Sequence, residues 1–137
     1  LEMPPEIAEF VSFVAQSAKQ LDEAGKEKRS WRDGNGRNYA GWGLERGDYP
    51  TEEDVNTDRR PIYMGGSWGH WEQFLGDDGF IYRYEFSGQD VWDGREIVTT
   101  TSDSVSKQSL ASLRGQVKPF LAIRRKIEAL TGSLHEW

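Results

Sequence analysis

Two short aromatic runs joined by a turn signal constrain this chain more than any other feature. HWEQFL, residues 70–75, and FIYRYEF, residues 80–86, flank GDDG at residues 76–79. Asp-Gly sequences favour tight turns, because glycine accepts the left-handed backbone conformation that such turns need. Both runs are rich in the aromatic residues that strands favour. The sequence therefore predicts a β-hairpin at residues 70–86.

Opposite charges indicate how the two strands of this hairpin pair. Pairing residue 75 with residue 80 would place Glu72 opposite Arg83 and His70 opposite Glu85. Each such cross-strand pair contributes about 0.2–1 kcal/mol. The same register would put Trp71 on one face with the tyrosines of the second strand, and a slip of one residue would undo that arrangement. We predict this register.

Helical periodicity frames the predicted sheet on both sides. Apolar residues at spacings of three and four run from Ile7 to Leu21 and predict an N-terminal helix. SWRDGNGRNY, residues 30–39, and VWDGREIVTTT, residues 91–101, contain Asp-Gly turn signals and predict further strands. Asp103 or Ser104 is predicted to cap a C-terminal helix with an apolar stripe from residue 110 to residue 130, which Pro119 should kink or divide.

This order of elements predicts an α+β fold. It comprises an N-terminal helix, an antiparallel sheet of four or five strands, and a C-terminal helix or kinked helix pair packed on one sheet face. A length of 137 residues fits a single domain at 1–137. Residues 1–3 have the character of a tag remnant followed by a start at Met3. Residues 45–60 are polar and highly charged, and predict an exposed loop.

Charge and composition exclude several classes of function. The net charge is −6, and residues 43–103 alone carry 14 acidic and 5 basic side chains. Such a surface repels a phosphate backbone, so nucleic acid is an unlikely partner. The chain has no cysteine, which excludes disulfides, a thiolate nucleophile and sulfur-ligated metal. No apolar run has the length of a membrane span and no signal peptide pattern opens the chain, so we predict a cytoplasmic protein without a membrane partner.

Three motifs, EFVSFVAQSAK, YAGWG and GDDGFIYRYEFSGQDVWDGREIV, resemble those of an uncharacterised family of small bacterial domains. The residues that match its pattern are Gly76, Asp77, Tyr82, Tyr84, Gly88, Trp92, Gly94, Glu96 and Val98. The resemblance covers about residues 9–98, apart from a long insert between residues 43 and 68. Members of that family sometimes accompany helix-turn-helix regulators, so the resemblance implies a ligand-sensing role. It implies no catalytic residues.

The aromatic residues indicate a binding site. Six tryptophans are more than a core of this size needs, and Trp and Tyr often line partly wet pockets or interfaces. We predict a pocket that binds an apolar or aromatic small molecule without a cofactor. Its predicted residues are Trp68, His70, Trp71, Tyr82, Tyr84, Glu85, Trp92 and Glu96. Phe74, Phe80 and Phe86 are predicted to be core residues.

The sequence is also compatible with other functions. His70, Glu72 and Glu85 could together hold a divalent metal, but surface ion pairs explain them more simply, and no metal is predicted. A second hypothesis is a cofactor-independent cyclase, isomerase or lyase that uses a tyrosine or glutamate as acid or base. A third is a protein–protein interaction module, such as an inhibitor or an antitoxin. Acidity and exposed tryptophans fit this third hypothesis nearly as well as the first.

Overall fold

The computed structural model describes residues 5–57, 62–109 and 117–132, and places one antiparallel sheet between two helices along the chain. The elements are α1 (Pro5–Glu23), β1 (Arg29–Arg32), β2 (Asn38–Asn56), β3 (Ile62–Gly76), β4 (Ile81–Trp92), β5 (Ile97–Lys107) and α2 (Val117–Gly132). The strands follow one another across the sheet in chain order. This confirms the predicted α+β fold. Within the described ranges, neither helix is long and apolar enough to cross a membrane.

The predicted Asp-Gly turns form where expected. Asp33 accepts hydrogen bonds from the N–H groups two and four residues further on, and Gly36 has a φ of 82°. Asp93 accepts bonds from the N–H groups two and three residues further on, and Gly94 has a φ of 98°. These side-chain bonds fix the tight turns locally. Both turns were therefore visible in the sequence.

The predicted register of β3 and β4 is wrong by one residue. Leu75 lies opposite Ile81. The Gly76 N–H donates a hydrogen bond of 2.8 Å to the Phe80 carbonyl, which leaves a connecting loop of three residues, 77–79. Gly79 ends the loop with a φ of 88°, as three-residue hairpin loops require. This register places Leu75 and Ile81 together in the core under the helices, and Phe74 beside Tyr82 in the core of the other face. Burial of these side chains outweighs two surface ion pairs. Phe80, predicted to be core, is exposed at the turn.

Two further predictions of local structure are wrong. Residues 45–56 belong to β2 and not to a loop, because they pair with β3 along the sheet. Asp103 and Ser104 lie in β5 and cap no helix. Pro119 lies in the first turn of α2, where the missing proline N–H breaks no helical hydrogen bond. Residues 1–3, 58–60, 110 and 113 of the predictions lie outside the described residues.

The helices pack on one face of the sheet, which we call the helix face. The buried residues of this core are Phe10, Val14, Ala18 and Leu21 of α1, Trp42, Leu75 and Ile81 of the sheet, and Ile123 and Ile127 of α2. They include most of the stripe predicted for α1. Their removal from water stabilises the fold by about 25 cal/mol per Å² of apolar surface.

The opposite face of the sheet, which we call the aromatic face, has its own small core. Its residues on β3 and β4 are Trp68, His70, Glu72, Phe74, Tyr82, Tyr84 and Phe86. The sheet curls around this face, since Trp31 of β1 stacks on Phe74, two strands away. The Gly34 N–H donates to the Asp103 carbonyl of β5 at 2.9 Å. The two edges of the sheet therefore meet at this end.

The sheet continues beyond both cores into a part that we call the distal half, residues 46–56, 62–71, 85–92 and 97–104. Among the described residues, nine large hydrophobic side chains are exposed, and seven of them lie here. They are Tyr49, Val55, Ile62, Tyr63, Val91, Trp92 and Val98. The sheet residues that pack against α1 and α2 lie near the other end of the strands. The distal half therefore displays apolar groups to solvent.

Candidate functional site

The structure divides the predicted site residues among three places. Trp68, His70, Tyr82, Tyr84 and Trp92 belong to the aromatic face, Trp71 and Glu85 to the helix face, and Glu96 to the turn after β4. In the observed register Trp71 lies directly opposite Glu85, so both point away from Tyr84. The prediction that Trp71 and Glu85 line one pocket with the tyrosines is therefore wrong. The one-residue change in register is the cause for Trp71, whereas Glu85 points away from Tyr84 in any register because neighbouring side chains of a strand alternate.

The end of the aromatic face near the β3–β4 turn is filled with rings. Trp31 and Phe74 stack with centroids 3.9 Å apart and planes 4° apart. Phe74 and Tyr82 are 5.2 Å apart, as are Tyr39 and Tyr82. Rings at these distances are in mutual contact and leave no room for a ligand between them. Tyr82 is therefore packed as a core residue, and it also borders a small concavity of about 240 Å³ together with Tyr39, Asp77 and Asp78.

The hydroxyl group of Tyr82 has a structural partner. It donates a hydrogen bond to the carboxylate of Asp78 in the β3–β4 turn. Burial and the neighbouring negative charge of Asp78 raise the pKa of Tyr82 well above its usual value of 10.0. Tyr82 is thus a neutral donor that holds the turn against the sheet.

Glu72 is the buried carboxylate of the aromatic face. It accepts a bond of 2.8 Å from the indole Nε1 of Trp31 and an ion pair of 3.0 Å from Arg29 Nη2. The Arg29 guanidinium also lies 4.9 Å from the Trp31 ring centroid. The sequence prediction paired Glu72 with Arg83 at the surface, and it missed Trp31 altogether. Trp31 lies opposite Tyr39 in the pairing of β1 with β2, so both side chains are on the aromatic face. This alternation of side chains was the one indication that Trp31 belongs to the site.

The middle of the aromatic face carries His70, Tyr84 and Phe86. The His70 ring lies 5.8 Å from the Tyr84 ring and 5.4 Å from the Phe86 ring, so its neighbours are aromatic and not Glu85. Burial, and then the negative charge of Asp103, raise the pKa of Tyr84. No group of three or more His, Asp or Glu side chains that could hold a metal ion occurs in the described part of the chain.

Two tryptophans of β3 lie against glycines of neighbouring strands. A Cβ atom at Gly88 of β4 would come within 2.4 Å of the Trp68 indole, and one at Gly47 of β2 within 2.6 Å of the Trp71 indole. Each ring therefore covers the backbone of the adjacent strand, where any larger residue would displace it. Trp68 lies on the aromatic face and Trp71 on the helix face, so the distal half presents one indole on each side.

On the helix face, Trp71 belongs to a closed polar network. The Arg83 guanidinium lies 4.6 Å from the Trp71 ring centroid, and Arg83 Nε donates to Glu85 Oε1 at 2.9 Å. Tyr49 accepts a bond from Arg83 at 3.0 Å and donates one to Glu85 at 2.9 Å. The bonds from Arg83 and Tyr49 lower the pKa of Glu85. Glu85 is thus committed to these two partners.

The distal tip combines exposed rings with acidic residues. Trp92 is 36% exposed and Tyr63 is 39% exposed. The Tyr63 hydroxyl donates to Asp90 at 3.3 Å, and Thr99 donates to the same carboxylate at 2.5 Å. Glu96 is exposed in the adjoining turn, where its N–H donates to Asp93. The aromatic rings of the tip are therefore exposed to solvent and do not enclose a pocket.

A concavity beside Trp68 has a polar lining. It has a volume of about 420 Å³ and borders on Ser67, Trp68, Ser87, Gly88, Gln89, Thr100, Thr101 and Ser102. Trp68 is its one aromatic residue, and hydroxyl groups form most of the rest. A second concavity of about 290 Å³ lies closer to the tip and includes three acidic residues, Glu52, Asp54 and Asp90. Neither is walled by the aromatic cluster.

Three of the predicted site residues have shifted pKa values. A general acid or base works best when its pKa lies near the working pH. The pKa values of Tyr82 and Tyr84 are raised from 10.0, and that of Glu85 is lowered from 4.5. All three shifts lead away from neutrality. These groups therefore lend no support to the enzyme hypothesis.

Comparisons with protein-family models, with curated proteins and with solved structures found no match to this chain.

Proposed function

We propose that this chain is a protein-binding module, and that the distal half of its aromatic face binds a basic surface of a partner protein. The observation that supports this most is the extension of the sheet beyond both of its cores. Seven exposed large hydrophobic side chains lie on this extension. Trp92 and Tyr63 are on its aromatic face, whereas Tyr49, Val91 and Val98 are on its helix face. Exposed apolar groups in one region, surrounded by polar ones, are typical of interaction surfaces. Trp and Tyr are enriched at such surfaces.

The charge of this surface supports a basic partner. Four carboxylates share the distal aromatic face with the rings, since each lies opposite a residue of that face: Asp48, Glu53, Asp90 and Asp103. Among the described residues, the one arginine on the same part of the face is Arg46, opposite Glu72. Complementary charge speeds association and rejects partners of the wrong sign. An acidic, aromatic face therefore favours a surface rich in arginine or lysine.

Contacts within the chain illustrate the expected chemistry. Arg83 lies over Trp71 while it pairs with Glu85, and Arg29 lies over Trp31 while it pairs with Glu72. A planar guanidinium suits this combination, because it stacks on a ring and donates to a carboxylate at the same time. Trp68, with carboxylates on the strands around it, offers a partner's arginine a similar environment.

A peptide titration tests this proposal. The probes are an octapeptide of alternating arginine and glycine and its lysine counterpart, followed by tryptophan fluorescence and by NMR. We expect the arginine peptide to bind more tightly than the lysine peptide. Trp68→Ala should weaken binding by about fivefold or more, which corresponds to a cation–π contact of about 1 kcal/mol.

Trp71→Ala is the matched control, since it removes the same side chain from the opposite face of the same strand. It should leave the affinity for the arginine peptide unchanged. Raising the salt concentration should weaken binding of both peptides. Equal losses in the two variants, or equal binding of both peptides at all salt concentrations, would contradict the proposal.

The concavity beside Trp68 favours a second candidate function, which is binding of a small molecule. Its volume of about 420 Å³ falls within the usual range of ligand sites. Its hydroxyl-rich lining suits a polar ligand better than the apolar one predicted from the sequence. Thermal stabilisation by members of a metabolite library, lost on Ser87→Trp, would support this function. Stabilisation that persists in that variant would exclude this concavity as the site.

A further inference from the structure

The outer strand β5 begins with five consecutive β-branched residues. Residues 97–101 read Ile-Val-Thr-Thr-Thr and carry no charge. All but Ile97 are exposed. β-Branched residues have the highest preference for strands, and uncharged segments without proline or glycine are the ones that pair most readily with further strands. This segment is therefore well suited to accept another strand.

The backbone of this segment points its free groups away from the sheet. Among the described strands, β5 pairs with β4 alone and without a register shift. The Asp103 carbonyl accepts a hydrogen bond from the Gly34 N–H, so the backbone N–H and C=O groups of Asp103 are directed away from β4. Because this direction alternates along an antiparallel strand, Thr101, Thr99 and Ile97 direct their N–H and C=O groups outward as well.

The other edge of the sheet is protected where β5 is not. β1 has only four residues, two of which are Arg29 and Arg32, and Lys28 precedes it. It pairs only with residues 38–41, so the rest of this edge is β2, which is rich in charged side chains and includes Pro50. Short length and positive charge are the usual ways in which proteins keep an edge strand from pairing. Residues 97–101 lack both. The contrast between the two edges indicates that pairing at β5 is tolerated or used.

We propose that residues 97–101 pair antiparallel with the same residues of a second copy of this chain, around a two-fold axis at Thr99. This register places Ile97 opposite Thr101 and Val98 opposite Thr100, so every pair joins β-branched residues. All three outward residues then take part, and the sheets of the two copies become continuous. A two-fold contact of this kind is self-complementary by construction.

Charge complementarity supports a second copy as the occupant. The same register, continued by two residues, brings Asp103 of one copy level with Arg95 of the other, and symmetry repeats this pair. The Asp103 carbonyl already accepts a bond from Gly34 of its own chain, so the two copies meet there through side chains and not through backbone pairing. Two copies with a net charge of −6 repel each other, so an uncharged strand flanked by opposite charges is the favourable place for them to meet. Five residue pairs bury little area, below the roughly 1,200 Å² of stable interfaces, so the dimer should be weak and concentration-dependent.

Disulfide trapping tests the register directly. The chain has no cysteine, so a single introduced cysteine can form only intermolecular disulfides. We expect Thr99→Cys to cross-link under mild oxidation at least about tenfold faster than Ser104→Cys, because only residues near the axis fall within disulfide distance. A maximum at another position would overturn the register. Equal rates at all positions would overturn the dimer.

Two further variants separate backbone pairing from side-chain effects. Thr101→Pro removes an outward N–H and should abolish the concentration-dependent increase in mass seen by sedimentation velocity, whereas Thr101→Ala should retain it. Arg95→Glu should weaken the dimer, and the double variant Arg95→Glu, Asp103→Arg should restore it. Failure of both contrasts, with circular dichroism unchanged, would overturn the proposal. None of these experiments depends on the peptide-binding function of the aromatic face.

Discussion

The same sheet uses tryptophan in two different ways at its two ends. Near the helices, Trp31 and Trp42 are 4% and 3% exposed, and each indole N–H has a partner, at 2.8 Å in Glu72 and at 3.2 Å in the Lys26 carbonyl. In the distal half, Trp92 is 36% exposed and the Trp68 ring lies on a glycine. Residue type alone does not separate core from surface. What separates them is whether other residues cover the strand. In the described residues, the helices and the aromatic core cover only the proximal half of the sheet.

Truncating one ring from each half should break or confirm this comparison most clearly. Phe74 is fully buried against Trp31, so Phe74→Ala should lower the free energy of unfolding by about 3–5 kcal/mol. Trp92→Ala, at an exposed site, should change it by about 0.5 kcal/mol or less. Urea denaturation of both variants measures the difference. Similar losses would mean that the distal half is a second core.

The buried carboxylate gives the next largest effect. Glu72→Ala leaves the Trp31 N–H unpaired and should cost about 2–3 kcal/mol in unfolding free energy. Arg29→Ala removes a side chain that is 59% exposed, so its loss should be about 1 kcal/mol or less. If the arginine variant proved the more damaging in thermal denaturation, the ion pair and not the indole bond would dominate this site.

Alkaline unfolding should expose the buried phenol of the proximal half. The pKa of Tyr82 is raised in the folded chain, whereas unfolded tyrosines ionise near pH 10. The unfolded state therefore loses its proton first, so stability is complete below about pH 10 and falls above it, by about 1 kcal/mol per pH unit from this residue. Tyr82→Phe should remove that part of the slope, and Asp78→Asn should reduce it. An unchanged slope in Tyr82→Phe would contradict the assignment.

The smallest effect concerns the network on the distal helix face. Arg83 and Tyr49 lower the pKa of Glu85 from 4.5, so its stabilisation is present above pH 4.5 and disappears as the pH falls through the lowered value. Both charged partners are more than a third exposed, which limits the contribution to a few tenths of a kcal/mol. Glu85→Gln should therefore flatten acid denaturation only slightly. A loss comparable with that of Glu72→Ala would show that this face is buried by a partner.

Local signals explain which elements could be predicted and which could not. The turns at Asp33 and Asp93, and the apolar stripe of α1, depend on residues within a few positions of one another, and they were predicted correctly. The strand at residues 45–56 was taken for a loop because its charges hide any alternation. Such a strand needs no apolar side, since it lies in the exposed distal half. Its partner β3 holds it in place.

In the candidate site, too, local features were predictable and long-range ones were not. Three-residue hairpin loops with a left-handed glycine were a possible interpretation of GDDG, but surface charge pairs favoured the wrong register. That single slip moved Trp71 to the face of the tyrosines and His70 to the face of Glu85. Trp31, which closes the aromatic core, lies 43 residues before Phe74, on which it stacks, and no local pattern connects the two.

The sequence by itself determined the order of helices and strands, the positions of the turns and the acidity of the central region. These properties follow from backbone preferences and composition, which act over a few residues. Only the tertiary structure decided which face each aromatic ring occupies, which rings are buried, and that the sheet outruns its helices. Those outcomes depend on strand register and on curvature, where distant segments compete for the same apolar surface and a shift of one residue inverts the result.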